Sequence, residues 1–200
     1  MRFELVPMPD GVGARPRDGR GYPVPAITPW QDGEPQFALT DHGRSADCAL
    51  ERRCSVCGEF LPRGPVWRVV GPAESAAIAA ALAEGRPYRN LAPTMEGPGH
   101  RACMLYAAMV CPYLARPNAR RRAGAADGGD ELVAAAVRGA ARGGLGAVVG
   151  FGDYEYAVTE DRVLFRFLDL VEFLPHESAD EHLAELRAEL ARGSTRTHGR

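Results

Sequence analysis

Residues 52–60 read RRCSVCGEF and residues 99–111 read GHRACMLYAAMVC. In the first stretch, Cys54 and Cys57 have the spacing that lets two thiolates meet one tetrahedral ion. Gly58 then frees the backbone to turn so that amide groups face the sulfurs. One such pair is half a site. In the second stretch, His100 and Cys103 stand three positions apart at the expected start of a helix, which puts imidazole and thiolate on one face. Three sulfurs and one nitrogen make a closed tetrahedral set, which suits zinc, a borderline-soft ion with no geometric preference of its own. A closed set leaves no position for a catalytic water. The expected Zn2+ is therefore structural, and its removal is expected to unfold the unit it holds.

Forty-two residues separate Cys57 from His100, against roughly fifteen to twenty in a plain zinc ribbon. A long insert is tolerable if it forms its own strand and helix, because loop-closure entropy grows slowly with length. Knuckle, hairpin, then a helix carrying the second ligand pair is the layout of a treble clef. A redox CxxC is the competing reading, but that motif opens a helix after a strand, whereas Gly58 and Pro62 follow here. Cys111 lies eight positions beyond Cys103, about 12 Å of helical rise, too far for sulfurs that must lie within about 4 Å of each other on one ion. It is expected to be a buried apolar residue beside Met104 and Ala107. Cys48 is read as a spare thiol, and His42, His176, His182 and His198 as surface histidines.

Working outward, residues 1–43 form an expected N-terminal arm. Pro7, Pro9, Pro16, Pro23, Pro25, Pro29 and Pro35, with several glycines, favour extended chain and turns over helix. Tyr22, Ile27, Trp30 and Phe37 are its apolar anchors, and Phe37 to Leu39 is read as a short strand. Residues 44–115 are the expected zinc module, with a strand at Val66 to Val70, an Ala-rich helix from Glu74 to Glu84, and a second helix after Pro98-Gly99 that Pro112 ends. Residues 116–129, RPNARRRAGAADGG, have the composition of a solvated basic linker. Residues 130–200 read as a second, acidic α+β unit. Glu131 to Arg142 is helical, and strands at Tyr154 to Val158 and Arg162 to Leu168 flank the turn Thr159-Glu160-Asp161. Leu170 to Leu174 is a further candidate strand. The final helix opens on the capping pattern Ser178 and Glu181, with Leu183, Leu186 and Leu190 on one side. The predicted class is α+β: a small treble-clef-like module plus a C-terminal helix, β-hairpin and helix.

With 200 residues, 46% hydrophobic, the chain is long enough for two packed units. The net charge of −2 conceals unlike parts. Residues 44–122 carry twelve Arg against six acids, a surplus of +6, and residues 123–200 carry eight Arg against fourteen acids, a balance of −6. Every cation is Arg, which grips phosphate or carboxylate with a planar fork. Met1 to Asp10 lack a basic segment followed by an apolar run, and eighteen consecutive apolar residues occur nowhere, so a cytoplasmic protein without membrane contact is expected.

At MRFELVPMPD, PRDGRGYPVP, RRCSVCGEFLPR, VVGP, GHRACMLYAAMVCPYLARP and, more loosely, VLFRFLDLVEFLP, the chain resembles a family of uncharacterised proteins of actinobacterial and phage genomes, with paired CxxC and HxxC motifs. Relatives often carry a further cysteine after the Gly-Pro that ends the hydrophobic strand, where this chain has Ala73 and Glu74. The resemblance implies the zinc site and names no reaction.

Two classes of function compete. In the first, the zinc unit is a non-catalytic binding module. Arg52, Arg53, Arg116, Arg120, Arg121 and Arg122, with Arg63, Arg68 and Arg101, are candidate phosphate contacts on nucleic acid. Alternatively, the partner is a protein and the acidic end is a separate contact or a lid over the basic middle. In the second, the module is an HNH-like treble-clef nuclease, which needs a histidine to activate water and ligands for a catalytic metal. No histidine lies between Cys57 and His100, and no GxSxG, Walker or Rossmann pattern offers another chemistry. Asp153, Glu155, Glu160 and Asp161 are read as a solvated acidic turn.

Overall fold

β-Branched and aromatic residues fill Val66–Val70 and recur from residue 147 to 175, the composition of strands that pack on both faces. In the computed structural model, which describes residues 3–88, 93–111, 146–175 and 179–197, they form a single sheet. In chain order the elements after a short 3-10 turn are α1 (Asp10–Gly13), β1 (Trp30–Gln31), β2 (Glu34–Pro35), α2 (His42–Leu50), β3 (Val66–Val70), α3 (Pro72–Ala83), α4 (Arg101–Val110), β4 (Ala147–Val158), β5 (Val163–Pro175) and α5 (Ala179–Thr197). The architecture is α+β, with a two-stranded and a three-stranded antiparallel sheet among the described residues.

The larger sheet has the order β3-β4-β5, so the strand expected inside the zinc module pairs with the C-terminal hairpin. Val66 faces Phe151 and Val70 faces Ala147. One hydrophobic cluster accordingly draws on Val12 of the arm, Cys54 and Cys57, Trp67, Ile78, all of α4's buried face, Phe151, Phe165 and Leu186. α4 lies against β3 and β4 and also against α5.

β4 starts earlier than the alternation at Tyr154 indicated, because Ala147 to Phe151 are buried on both sides and read as a continuous apolar run. Leu170 to Leu174 is no separate strand; it continues β5 across a bulge. Gly150 faces Glu172 and Phe151 faces Leu170, leaving Val171 as the extra residue.

The arm departs from a purely extended reading. α1 is a single helical turn, and α2 spans the expected boundary after residue 43. Phe37 to Leu39 is a turn: the Gln36 N–H donates to the Pro29 carbonyl at 2.9 Å, closing the β1–β2 hairpin, and the Leu39 N–H turns back to Gln36 at 2.9 Å. Of the expected anchors, Tyr22 packs against the core and Ile27 is partly buried, whereas Trp30 and Phe37 are exposed; Val6, Val12 and Val24 are buried. α3 begins at Pro72, two residues before the expected start, because proline at the first helical position forgoes an N–H that has no partner there. The expected helix at Glu131 to Arg142 and the linker 116–129 lie outside the described residues.

Candidate metal centre

The first half of the centre is a tight knuckle. Arg53 and Phe60 bridge antiparallel, and the Cys54 N–H donates to the Glu59 carbonyl at 2.8 Å. The chain reverses through Gly58 at φ +83°, a left-handed conformation natural to glycine, and its N–H donates to the Cys54 carbonyl at 2.8 Å. The reversal points the Cys57 N–H at the Cys54 sulfur, 3.5 Å away, as the sequence spacing implied.

The second half is delivered by β3. Gly99 exchanges both backbone hydrogen bonds with Trp67, at 2.8 and 2.9 Å, which fixes the chain just before His100. His100 caps α4 in an extended conformation, its carbonyl accepting the Met104 N–H at 3.0 Å, and Cys103 follows on the first turn. His100 Nε2 lies 3.0 Å from the Phe60 carbonyl. A carbonyl only accepts, so the ring proton sits on Nε2 and Nδ1 faces the sulfurs. Nδ1 is 3.5 Å from Cys57 Sγ and 3.9 Å from Cys103 Sγ, close to the edge of about 3.5–3.8 Å in a tetrahedron with zinc–ligand bonds of about 2.0–2.3 Å. The four ligand atoms all lie within 4.8 Å of one another. The Phe60 carbonyl orients the imidazole from behind, and nothing in the sequence spacing pointed to it.

The electrostatics are those of a thiolate site. Burial pushes the Cys54 thiol up, but hydrogen bonds from Cys103, Cys57 and His100 outweigh it and hold Cys54 well below the usual thiol range. Burial lowers His100, yet its hydrogen bonds to Cys54 and Cys57 lift the imidazole to about 10. The Cys103 thiol is driven strongly up by its hydrogen bonds to Cys54 and Cys57 and by burial. Without an ion these contacts favour charge on Cys54 and His100 and favour the proton on Cys103. A divalent cation at the centre would displace the protons held there.

Cys48 is buried on α2 with its Sγ 4.0 Å from the Cys54 carbonyl, and burial followed by the Cys54 charge pushes its thiol up to about 11. It belongs to the wall of the site and is not among the four grouped ligands. Cys111 is half-buried at the end of α4, where the chain leaves the helix, and is less covered than its apolar helical neighbours implied. His182 is buried, 2% exposed, on the face of α5 that also carries Leu186, which corrects its surface assignment. His42 is partly exposed and bonds the Thr159 carbonyl at 3.0 Å, while His176 and His198 lie outside the described residues.

The arginines proposed as phosphate contacts have acidic neighbours. Arg52 donates to Asp153 at 2.7 Å and to the Gly64 carbonyl at 3.2 Å, and Arg53 pairs with Glu51 and stacks on Phe60 at 4.0 Å. Arg68, 3% exposed, is held by Glu74 and Glu96 against the rings of Phe151 and Phe167. Arg101 meets Glu172, Glu185 and Glu189 over the Trp67 ring. Arg63 is exposed, and Arg116, Arg120, Arg121 and Arg122 lie outside the described residues. In the acidic turn, Asp153, Glu155 and Asp161 each pair with an arginine.

Fold and site together define an α+β chain with a Cys3His group, its thiols buried and its imidazole half-buried, placed to hold a metal ion. No family model, curated protein or solved structure matches the chain. No helix among the described residues is long and apolar enough to cross a membrane.

Proposed function

We propose that this chain is a zinc-stapled, non-catalytic binding module whose metal core is a treble clef with a helical insertion. The observation that carries the reading is the closed donor set: four protein ligand atoms within 4.8 Å of one another, with the fourth ligand's second nitrogen committed to the Phe60 carbonyl. Such a set leaves no position for substrate or water. The order of parts supports the treble clef: a knuckle, a strand bridged to Gly99, and a helix whose start supplies the second pair, with α3 inserted between. The metal bridges parts of the chain that share one core, so it acts on stability and shape.

A protein partner fits better than nucleic acid. Arg52, Arg53, Arg68 and Arg101 are each matched by carboxylates, and Asp153, Glu172, Glu185 and Glu189, all from outside residues 44–122, offset much of the basic surplus that a phosphate backbone would need. The nucleic-acid reading then falls to Arg63, Arg116, Arg120, Arg121 and Arg122. An HNH-like nuclease would need a histidine free to activate water, and both nitrogens of His100 are in use.

Elemental analysis of purified protein is expected to find one zinc per chain, and chelation is expected to abolish its cooperative melt. Absence of stoichiometric metal, with all thiols alkylated in the native state, removes the reading. Titration with duplex and single-stranded DNA at about 50 and 200 mM salt is expected to give weak binding; tight binding with a steep salt slope would restore the nucleic-acid partner. Cleavage of plasmid with added divalent metal would restore the nuclease.

A further inference from the structure

The arm does more than precede the knuckle. A Cβ placed on Gly11 of α1 falls 3.2 Å from Cys57 Cβ and 3.4 Å from its Sγ, so any larger side chain here would press on the knuckle. Farther along the arm, the Ala26 N–H donates to the Val56 carbonyl at 2.9 Å and the Ile27 N–H to the Ser55 carbonyl at 3.3 Å, both inside the CxxC loop. Arg15 Nε ties the two runs together by donating to the Val24 carbonyl at 3.0 Å. Val12 and Val24, 1% and 0% exposed, pin the segment.

We propose that residues 9–27 form a strap over the CxxC loop that gates release of the metal, an inference that rests on the zinc reading above. A closed four-coordinate ion exchanges only when an incoming donor reaches it as a ligand leaves. With Gly11 against Cys57 and two backbone bonds to the loop, the strap must open before that happens, so the lifetime of the bound ion follows local opening of the arm rather than global unfolding.

Two glycines of the same helical turn provide the test. The Gly13 position meets only Met8 Sδ, at 3.8 Å, whereas the Gly11 position is filled by the knuckle. Gly11→Leu and Gly13→Leu therefore change helix propensity alike but clash differently. The assay is transfer of zinc from folded, zinc-loaded protein to an excess of a chromogenic chelator, with iodoacetamide labelling of Cys57 read in parallel by mass spectrometry. Gly11→Leu is expected to release zinc and label Cys57 about tenfold faster than wild type, since overpacking weakens the docked strap, while Gly13→Leu stays at the wild-type rate. If Gly11→Leu does not fold, Gly11→Ala gives the same order with a smaller step.

Wild-type release is also expected to level off as chelator concentration rises, at the rate of strap opening. Equal rates for the Gly11 and Gly13 variants, or release that climbs linearly with chelator, overturn the strap while leaving the zinc site intact. Wild-type protein purified without zinc overturns the metal reading and the strap with it.

Discussion

Substituting Gly99 by alanine tests the point where sheet, metal site and α4 come closest. The added Cβ would sit 2.4 Å from Met104 Cε and 3.2 Å from Cys54 Sγ. Carbon atoms rest at about 3.5–4.0 Å from each other, so the Met104 methyl must retreat by about 1 Å or more. The backbone cannot yield instead, because both Gly99 hydrogen bonds to Trp67 hold it in place. Met104 is buried, so its movement displaces packed neighbours, at a cost of about 1–3 kcal/mol. For a chain of this length each kcal/mol lowers Tm by about 2–4 °C, so a fall of about 5 °C is expected in zinc-replete buffer. Met104→Ala removes the obstacle at its own cost of about 2–5 kcal/mol, and the double variant should then lose less than the two single losses combined, by about 1 kcal/mol or more. Thermal melts of the four proteins, followed by circular dichroism, give the coupling directly. A Gly99→Ala protein that melts with wild type, or strictly additive losses, refutes the argument.

Gly150→Ala should cost more than Gly99→Ala: its Cβ would meet three ring atoms of Trp67 at 2.8–3.0 Å, and an indole wedged under Arg101 has no flexible end to move aside, so urea unfolding is expected to show a loss of about 3 kcal/mol. Arg101→Met leaves Glu172 and Glu185 without their cation, while Glu189 keeps Arg192; since the three carboxylates are 31–44% exposed, the expected loss is about 1–2 kcal/mol, seen as faster amide exchange in α5, and a further Glu185→Gln should recover part of it. Zinc affinity should rise with pH. His100, raised to about 10 in the metal-free fold, stabilises that fold below its unfolded value near 6.5 and ceases to do so as pH climbs through 10, while binding must expel its proton and that of Cys103. Each proton released per ion tightens binding by about tenfold per pH unit around neutrality, measurable by competition with a chelator of known protonation, and a pH-independent affinity would refute this.

The four ligands were legible because their chemistry is local: each pair occupies one turn of chain, and a turn's geometry follows from spacing and from glycine. The strands around Val66 and Tyr154 and the helix after Gly99 were legible for the same reason, through composition, period and proline. What spacing does not encode is which surface an element finds. Nothing in VWRVV says that it pairs with Ala147 to Phe151, far downstream, rather than with a nearer strand. A single leucine face on α5 likewise did not show that His182 shares the buried side, since histidine fits water or core depending on its partners. The arginines show the same limit: charge summed along residues 44–122 is a property of sequence, but its neutralisation by Asp153, Glu172 and Glu185 comes from segments far downstream. Even Gly11 and Gly99 carry a readable signal only once one knows that a sulfur lies beside each of them.

These long-range pairings also decide what a metal accomplishes here. Cys57 and His100 are 43 positions apart, and a cross-link closing a loop of that size removes chain entropy worth about 4 kcal/mol from the unfolded state, a large part of the stability of an ordinary domain. Unlike a disulfide, a metal cross-link is reversible, so its contribution depends on the free metal concentration. The loop it closes contains β3, and β3 is the edge at which the C-terminal hairpin joins the sheet. Arg101, next to His100, carries the same constraint to β5 through Glu172 and to α5 through Glu185 and Glu189. An ion held by these four side chains would thereby be connected, through one strand and one arginine, to β5 and the final helix.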